Sequence, residues 1–567
     1  MKWIHQIRQN DLSKKWFWIA VLSLTLLRLA MVTFQMGYYT PDLAPLDDTL
    51  LYNMAVSITQ GEWLGEYGWL TLSKHSFFAL WLAVMHWLHI PYLIGGQMLY
   101  AGACAAMVGA FAPVLQKNKS RLIFYSVMLY NPAAVGAFTL RVYRDNIFPA
   151  LCLLVFAGIA GFVLRCTQKW TLSWLLLCGI GMGMVWLCRE DGIWVIPFVA
   201  AAAVIAVWRL VISTLSTFKK AVRMVLLLLP AAVFALCLMS WAAMNNLYYG
   251  RFVVSDFTSS DFAQAYGALT RVKAGQEKQT GLIQIPLTKQ GRQALYEAGA
   301  ESFSELQPWL EDPSFQNGYA NLETGEYPAG AFYWALRRAA QEAGHYDTAQ
   351  EAKEYFLTMA REVNTLCDSG VLEAYPPRSG TTPRITARYV LPVVKEGLYS
   401  LWFCATMQDV EPYMDSISIG RWEDQIAPME EFLYTKSNLA CKEGSDEPYY
   451  APRQELVFGG LKVVQMLYRF LLPLAILGAA IRLCRCARSV FLPQMDTQWK
   501  AAWIAVWGLF AMAVLRSMMV AFMEVASFGI GTSAMYLSTV HPLLLAASLL
   551  ALLLPWPSAT KNSPADC

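Results

Sequence analysis

Charge is scarce in this chain. Asp, Glu, Lys and Arg make up 15% of its 567 residues and apolar residues 56%, whereas soluble globular domains carry about 25% charged residues. That balance excludes a water-soluble enzyme, and it excludes disorder, which needs low hydrophobicity. Neither a strict short repeat nor a long-period repeat is present, which removes a collagen or coiled-coil rod and a solenoid. Cysteine is too sparse and too scattered for a disulfide framework. Of the twelve, Cys104, Cys152, Cys178, Cys188 and Cys237 lie in apolar runs, and Cys166, Cys484, Cys486 and Cys567 in basic loops or the C-terminal tail. Cys484-x-Cys486 lacks zinc-site spacing. The N-terminus has no cleavable signal pattern, so the first apolar run is expected to persist as a signal anchor.

What the chain does have is long apolar runs. A helix needs about 20 apolar residues to span the roughly 30 Å hydrocarbon core. Ten runs qualify as spans: 16–36, 93–115, 122–140, 147–164, 172–188, 193–211, 225–244, 456–481, 499–520 and 534–554. The fold class expected is therefore mainly α, a polytopic transmembrane helical bundle of about ten spans. Outer-face interfacial helices and a mainly helical extracytoplasmic domain complete it. Lys and Arg in short loops set orientation. Lys2, Arg8, Lys14 and Lys15; Lys117, Lys119 and Arg121; Arg165 and Lys169; Lys219, Lys220 and Arg223; and Arg482, Arg485 and Arg488 all fall on one side. That side is expected to be cytoplasmic, with both termini, in a multi-pass protein of the cell membrane. Segment 77–89 is too short to cross and would break this parity, so it is expected to lie at the interface.

The net charge of +3 conceals a division: residues 245–455 carry 29 acidic and 18 basic side chains. Three parts follow: a transmembrane module, 1–244, with an outer loop at 37–92; an acidic extracytoplasmic domain, 245–455; and C-terminal transmembrane helices, 456–567. Residues 332–340 and 349–366 read as a helical hairpin joined at Ala343-Gly344-His345. Arg378, Arg384 and Arg388 precede an amphipathic stretch, 390–403. It reads as a soluble helical surface in preference to a helix lying on the membrane over a site. The excess cations sit in short loops rather than on one soluble face, so no nucleic-acid partner is expected.

The first outer loop contains Asp47-Asp48, followed by Leu50, Leu51, Met54, Ala55 and Ile58 on one helical face and Gly61 as its stop. The two carboxylates thus open a surface helix, where they serve either as a capping pair or as chemical groups. Arg141 to Asn146, Arg189-Glu190-Asp191 and Lys74 reach the same membrane face from other loops. Carboxylates and cations at one depth, at the mouth of a bundle, are what an anionic lipid headgroup requires. Within the spans, Arg28 lies about 18 Å along a helix from Trp16, and Arg516 and Glu524 lie near the outer end of the ninth span. Arg516 is either a phosphate ligand or a pairing or snorkelling arginine. Gly179, Gly181 and Gly183 mark close helix packing.

Asp47-Asp48 opening a helix, then Gly61-Glu62-Trp63-Leu64-Gly65 and Thr71-Leu72-Ser73-Lys74, resembles the first outer loop of the GT-C glycosyltransferases. The resemblance is to the bacterial branch holding protein mannosyltransferases and lipid A aminoarabinose transferases, and it covers roughly residues 16–250. Arg144-Asp145 resembles that family's second-loop acidic position, and Arg189-Glu190-Asp191-Gly192-Ile193-Trp194 an Arg-Glu-Glu-Gly-Ile-Trp run of some members. The chain departs at His75-Ser76, which follow the loop lysine, and at Met535, which stands before Tyr536 where relatives carry arginine.

The resemblance implies an inverting single displacement on a polyprenyl-phosphate-linked sugar at the outer face, with a glycan, lipid or protein acceptor. A sugar phosphate leaves as a stable anion, so one carboxylate suffices to deprotonate the acceptor hydroxyl. Asp47 is the expected base, Asp48 its orienter or substitute, and Asp145 the further catalytic carboxylate. Lys74, Arg144, Arg189 and Arg516 are the expected ligands of the donor phosphate. No cofactor is required. A magnesium or manganese ion is the alternative partner of the phosphate, held by Asp47, Asp145 and Glu190 as hard oxygen ligands. A lipid or polysaccharide flippase and a non-enzymatic membrane scaffold are the readings from other classes. A flippase should show repeat symmetry and polar spans.

Overall fold

Apolar runs become helices because a chain inside hydrocarbon must satisfy its own backbone polar groups. The computed structural model describes residues 11–168, 171–257, 260–491 and 495–555. Lys2, Arg8, Lys169, Cys567, the side chain of Arg488 and both termini, which enter the orientation and cysteine readings, lie outside these ranges. Among the described residues, seven segments are long and apolar enough to cross a membrane: Lys14–Val32, Tyr92–Phe111, Phe148–Arg165, Gly192–Ile212, Thr217–Tyr249, Pro452–Ala487 and Thr497–Phe528. Leu172–Cys188 and Val540–Leu553 are shorter apolar helices in the same bundle.

The run 122–140 departs from the expected single span. Its helix, Asn118–Leu129, stops before Asn131-Pro132, and two 3-10 turns, Pro132–Val135 and Ala137–Thr139, complete the traverse. Proline cannot donate to the helical ladder and its ring pushes the preceding residue out of the α region. The Asn131 side chain accepts the Ala133 N–H instead. The spacing between the helices is set by glycine. A Cβ on Gly181 would sit 3.0 Å from Val155 Cγ2, on Gly179 2.9 Å from the Pro230 carbonyl oxygen, and on Gly183 2.7 Å from Cys237 Cβ. The three packing glycines expected from sequence are thus contact points between neighbouring helices.

The loops gather at two ends. At one, Arg121 donates to the Ala112 and Leu115 carbonyls, Arg165 to that of Ala110, Arg223 to that of Cys166, and Arg482 to that of Leu554. These arginines close helix C-termini, where exposed carbonyls favour cations. At the other end lie residues 37–92, 141–146, 189–192 and 529–538. Phe77–Trp87 keeps both ends there. His75 N donates to Glu190, and the His86 ring stacks on Phe432 at 4.2 Å, so the segment does not cross.

Within the acidic block, Phe262, Tyr266, Leu336, Phe356, Met359 and Val363 belong to a second apolar core. Its helices include Ser260–Leu269, Ala329–Glu342 and Ala349–Asp368. Ala349–Asp368 packs chiefly against Ser260–Leu269 rather than back along Ala329–Glu342, which is not the simple hairpin expected. The amphipathic stretch becomes the helix Val390–Ala405, and it too departs from expectation. Gly397, Ser400, Phe403 and Cys404 are buried, with Gly397 against Met518 of the Thr497–Met523 helix, while Leu391, Leu398 and Trp402 point outward. It belongs to the wall of the membrane body rather than to a soluble surface. All eleven described cysteines are free.

Candidate functional site

Asp47 and Asp48 lie in a single π-helical turn, Pro45–Thr49, just before the helix Leu50–Gln60. That helix buries the five predicted residues and ends at Gly61, whose φ of +86° suits a residue without Cβ. Neither aspartate caps it. The two carboxylates have separate partners. Asp48, whose side chain is 1% exposed, receives two parallel bonds from Arg141, Nε at 3.0 Å and Nη2 at 2.6 Å. Asp47 is 41% exposed and pairs with the Lys74 ammonium. It also accepts from the Tyr143 hydroxyl at 3.2 Å.

From there a chain of ion pairs runs under the surface. Arg144 donates to Tyr143 Oη at 2.6 Å and to both oxygens of Glu190 at 2.7 and 3.0 Å. Arg189 bonds Asp145 at 3.0 and 3.2 Å and Asp191 at 3.2 Å. Arg516 reaches Asp191 at 2.5 Å, and Ser538 donates to Asp145 at 2.8 Å. Five cations thus face five carboxylates drawn from the loops at 47–48, 74, 141–145 and 189–191 and from the Thr497–Met523 helix. In so dry a place, an unpaired member would be costly.

Electrostatics separates these groups. Burial pushes the Asp47 carboxyl up, but Lys74, with Arg144 and Arg141 behind it, more than offsets this and holds it below the usual carboxylate range. Burial dominates at Asp48 and raises it in spite of Arg141. At Glu190 burial also opposes ionisation, but Arg144 and His75 bring the carboxyl down to about 2. Burial lowers Lys74 below the ordinary lysine value although Asp47 resists, and burial likewise lowers His75.

The predicted residues therefore meet at one end, with different access to it. Asp47 and Arg141 line its open side, and Lys74 lies beneath Asp47. Arg144 and Arg189 lie just beneath, already engaged. Asp145, with no side-chain exposure, is behind Arg189. Arg516 is buried and paired with Asp191. Asp47, Asp145 and Glu190 do not form a ligand set. Each is held by its own cation, and among the described residues no three His, Cys, Asp or Glu side chains gather as a metal site. At Met535-Tyr536, Arg516 donates to the Tyr536 carbonyl at 3.4 Å, and Arg141 lies 3.5 Å from Met535 Sδ.

Sequence reasoning gave no role to four contributors, the first being Arg141, which holds Asp48. Tyr143 links Asp47 to Arg144, and its place inside the Arg141–Asn146 run was the available signal. Asp191, bridging Arg189 and Arg516, stood beside Glu190. Trp334, whose ring lies 5.4 Å from Lys74 Nζ, comes from the acidic block and had no local signal. Its helix is anchored to the lysine loop by Tyr333, which donates to the Ser73 carbonyl at 3.1 Å, and by Arg337, which donates to that of Trp69 at 2.8 Å.

No family model matches this chain, and neither does any curated protein. Two solved structures align with it, those of ArnT from Cupriavidus metallidurans bound to undecaprenyl phosphate and in the apo state. They share 11% and 12% identity with it, over 94% and 95% of this chain and 78% of theirs, at TM-scores of 0.29 and 0.26. Scores at that level do not establish a common fold.

Proposed function

We propose that this protein is a membrane glycosyltransferase that moves a sugar from a polyprenyl-phosphate carrier to an acceptor at the outer face. The observation that carries the reading is the Lys74–Asp47 pair. It joins the most open carboxylate of the cluster to a nearly buried ammonium, backed by Tyr143 and Trp334. In this reading the donor phosphate is taken by Lys74, which holds its carboxylate by a single bond, whereas Arg141, Arg144 and Arg189 are each held to a carboxylate by two. As Lys74 turns to the phosphate, Asp47 loses its largest cationic partner and becomes a stronger base. It then takes the proton from the acceptor hydroxyl as that oxygen attacks the anomeric carbon and the carrier phosphate departs. Asp48, locked by Arg141, positions the turn, and Asp145 with Arg189 positions the layer beneath.

Asp47→Asn tests this in the purified protein. The amide keeps the shape and cannot take the proton, so transfer from labelled polyprenyl-phosphate sugars should fall about 10²–10⁴-fold in a protein that still folds but melts lower, because Lys74 loses its charge partner. Transfer unchanged in this variant would sink the assignment. A scaffold protein would show no transfer in either form.

A further inference from the structure

The helix Ala329–Glu342 joins two places. Trp334 stands over Lys74. Five residues earlier, about 7.5 Å along the axis, Ala329 forms part of the wall of a separate cavity of about 210 Å³ in the acidic block. At roughly 30 Å³ per water that is room for about seven waters, or for one sugar ring. Arg378, Arg384 and Arg388 all line it, with Tyr266, Tyr375 and Gln284 among the other walls.

These arginines differ from those of the Asp47 site. Arg378 Nη2 donates to the Thr382 carbonyl at 2.5 Å, Arg384 Nη2 to that of Thr270 at 2.6 Å, and Arg388 to the Tyr389 hydroxyl. None is ion-paired with a carboxylate among the described residues. Three like charges around one cavity repel one another until an anion enters. Burial, together with the neighbouring Arg378, accordingly disfavours the charged form of Arg384. The walls suit more than a bare anion. The Arg384 guanidinium lies 3.9 Å from the Tyr375 ring centre, and Gln284 is fixed by two bonds to the Arg384 backbone, Nε2 to the carbonyl at 2.6 Å and Oε1 from the N–H at 2.8 Å. Guanidinium groups take a sugar's hydroxyls and its charge, and an amide held in place offers one more polar contact.

We propose that this cavity binds a negatively charged sugar unit, carboxylated or phosphorylated, of the acceptor glycan. That the sugar belongs to the acceptor rests on the transferase reading above, whereas the binding does not.

Calorimetric titration of the full-length protein in detergent tests it, with glucuronic acid, glucose 6-phosphate, glucose and inorganic phosphate as probes. The two charged sugars should bind, with glucose and inorganic phosphate at least ten-fold weaker. Arg378→Gln with Arg388→Gln should weaken both charged sugars at least ten-fold at unchanged melting temperature. If the pair does not fold, Arg388→Gln alone, at an exposed position, should still weaken them several-fold. Absence of charged-sugar binding, unaltered affinity in the variants, or inorganic phosphate binding as tightly as glucose 6-phosphate would each overturn the proposal. So would displacement of the sugars by polyprenyl phosphate in nanodiscs, which would give the cavity to the carrier. Asp47→Asn should leave binding intact. Charged-sugar binding in a protein that transfers no sugar would discard the transferase reading and keep the pocket.

Discussion

A carboxylate beside a guanidinium in a dry layer is at once a chemical group and a structural bond, and Glu190 shows the second role. It takes two bonds from Arg144 and one from the His75 N–H, and its pKa near 2 records how strongly the folded state prefers it ionised. The sign follows. A carboxyl with a depressed folded pKa contributes stability in full above its ordinary value near 4.3 and loses it as pH falls toward the folded value. The wild-type melting temperature in detergent should therefore drop between pH 5 and pH 3. Glu190→Gln should melt lower at pH 7, because Arg144 loses its charge partner in a buried setting, at a cost of about 3–5 kcal/mol. It should also show a smaller acid-dependent drop. Equal pH dependence in the two proteins would contradict the role given to Glu190. At this scale the sequence was informative about residue type and silent about pairing. Asp47 and Asp48 are adjacent and chemically identical, yet one is half open beside a lysine and the other sealed under Arg141. That difference depends on Arg141, 93 positions away.

Elements here are spaced by what their side chains lack. Gly158, on Phe148–Arg165, faces the backbone of Leu172–Cys188. A Cβ built on it would lie 2.5 Å from Cys178 N and 2.8 Å from Cys178 Cα. Backbone cannot rotate away as the tip of a flexible side chain can, so Gly158→Ala must separate the two helices. Overpacking of this kind costs about 1–3 kcal/mol. A fall of several degrees in melting temperature is expected, and unfolding without such a fall would mean the helices are not in this contact. The sequence showed why these runs are helices and where most begin and end, since length, hydropathy and stops such as Gly61 are local. It did not show the break after Leu129, although Asn131-Pro132 was visible within the run. Nor did it show that Val390–Ala405 would lie along Thr497–Met523, because an amphipathic pattern specifies a buried face without naming what covers it.

Across the whole molecule, the separation of basic loops from the candidate site is a statement about sidedness that can be read with native thiols. Cys441 is exposed beyond the bundle on the site's side, and Cys484 is exposed in the last turns of the Pro452–Phe491 helix, beside Arg482 and Arg485. In a Cys567→Ser background, a membrane-impermeant maleimide applied to intact cells should label Cys441 and spare Cys484, with both labelled after permeabilisation. The reverse pattern would place the site on the cytoplasmic face and remove the outer-face acceptor.

By itself the sequence determined the number of apolar segments, the two-ended distribution of charge and the residue types at the mouth. Each of these follows from short-range hydropathy and from the charge of neighbouring residues. Tertiary structure decided which carboxylate stays accessible, which cation holds which acid, and that Trp334 closes over Lys74. Those outcomes depend on contacts between segments up to several hundred residues apart, whose energies enter only once the helices have packed.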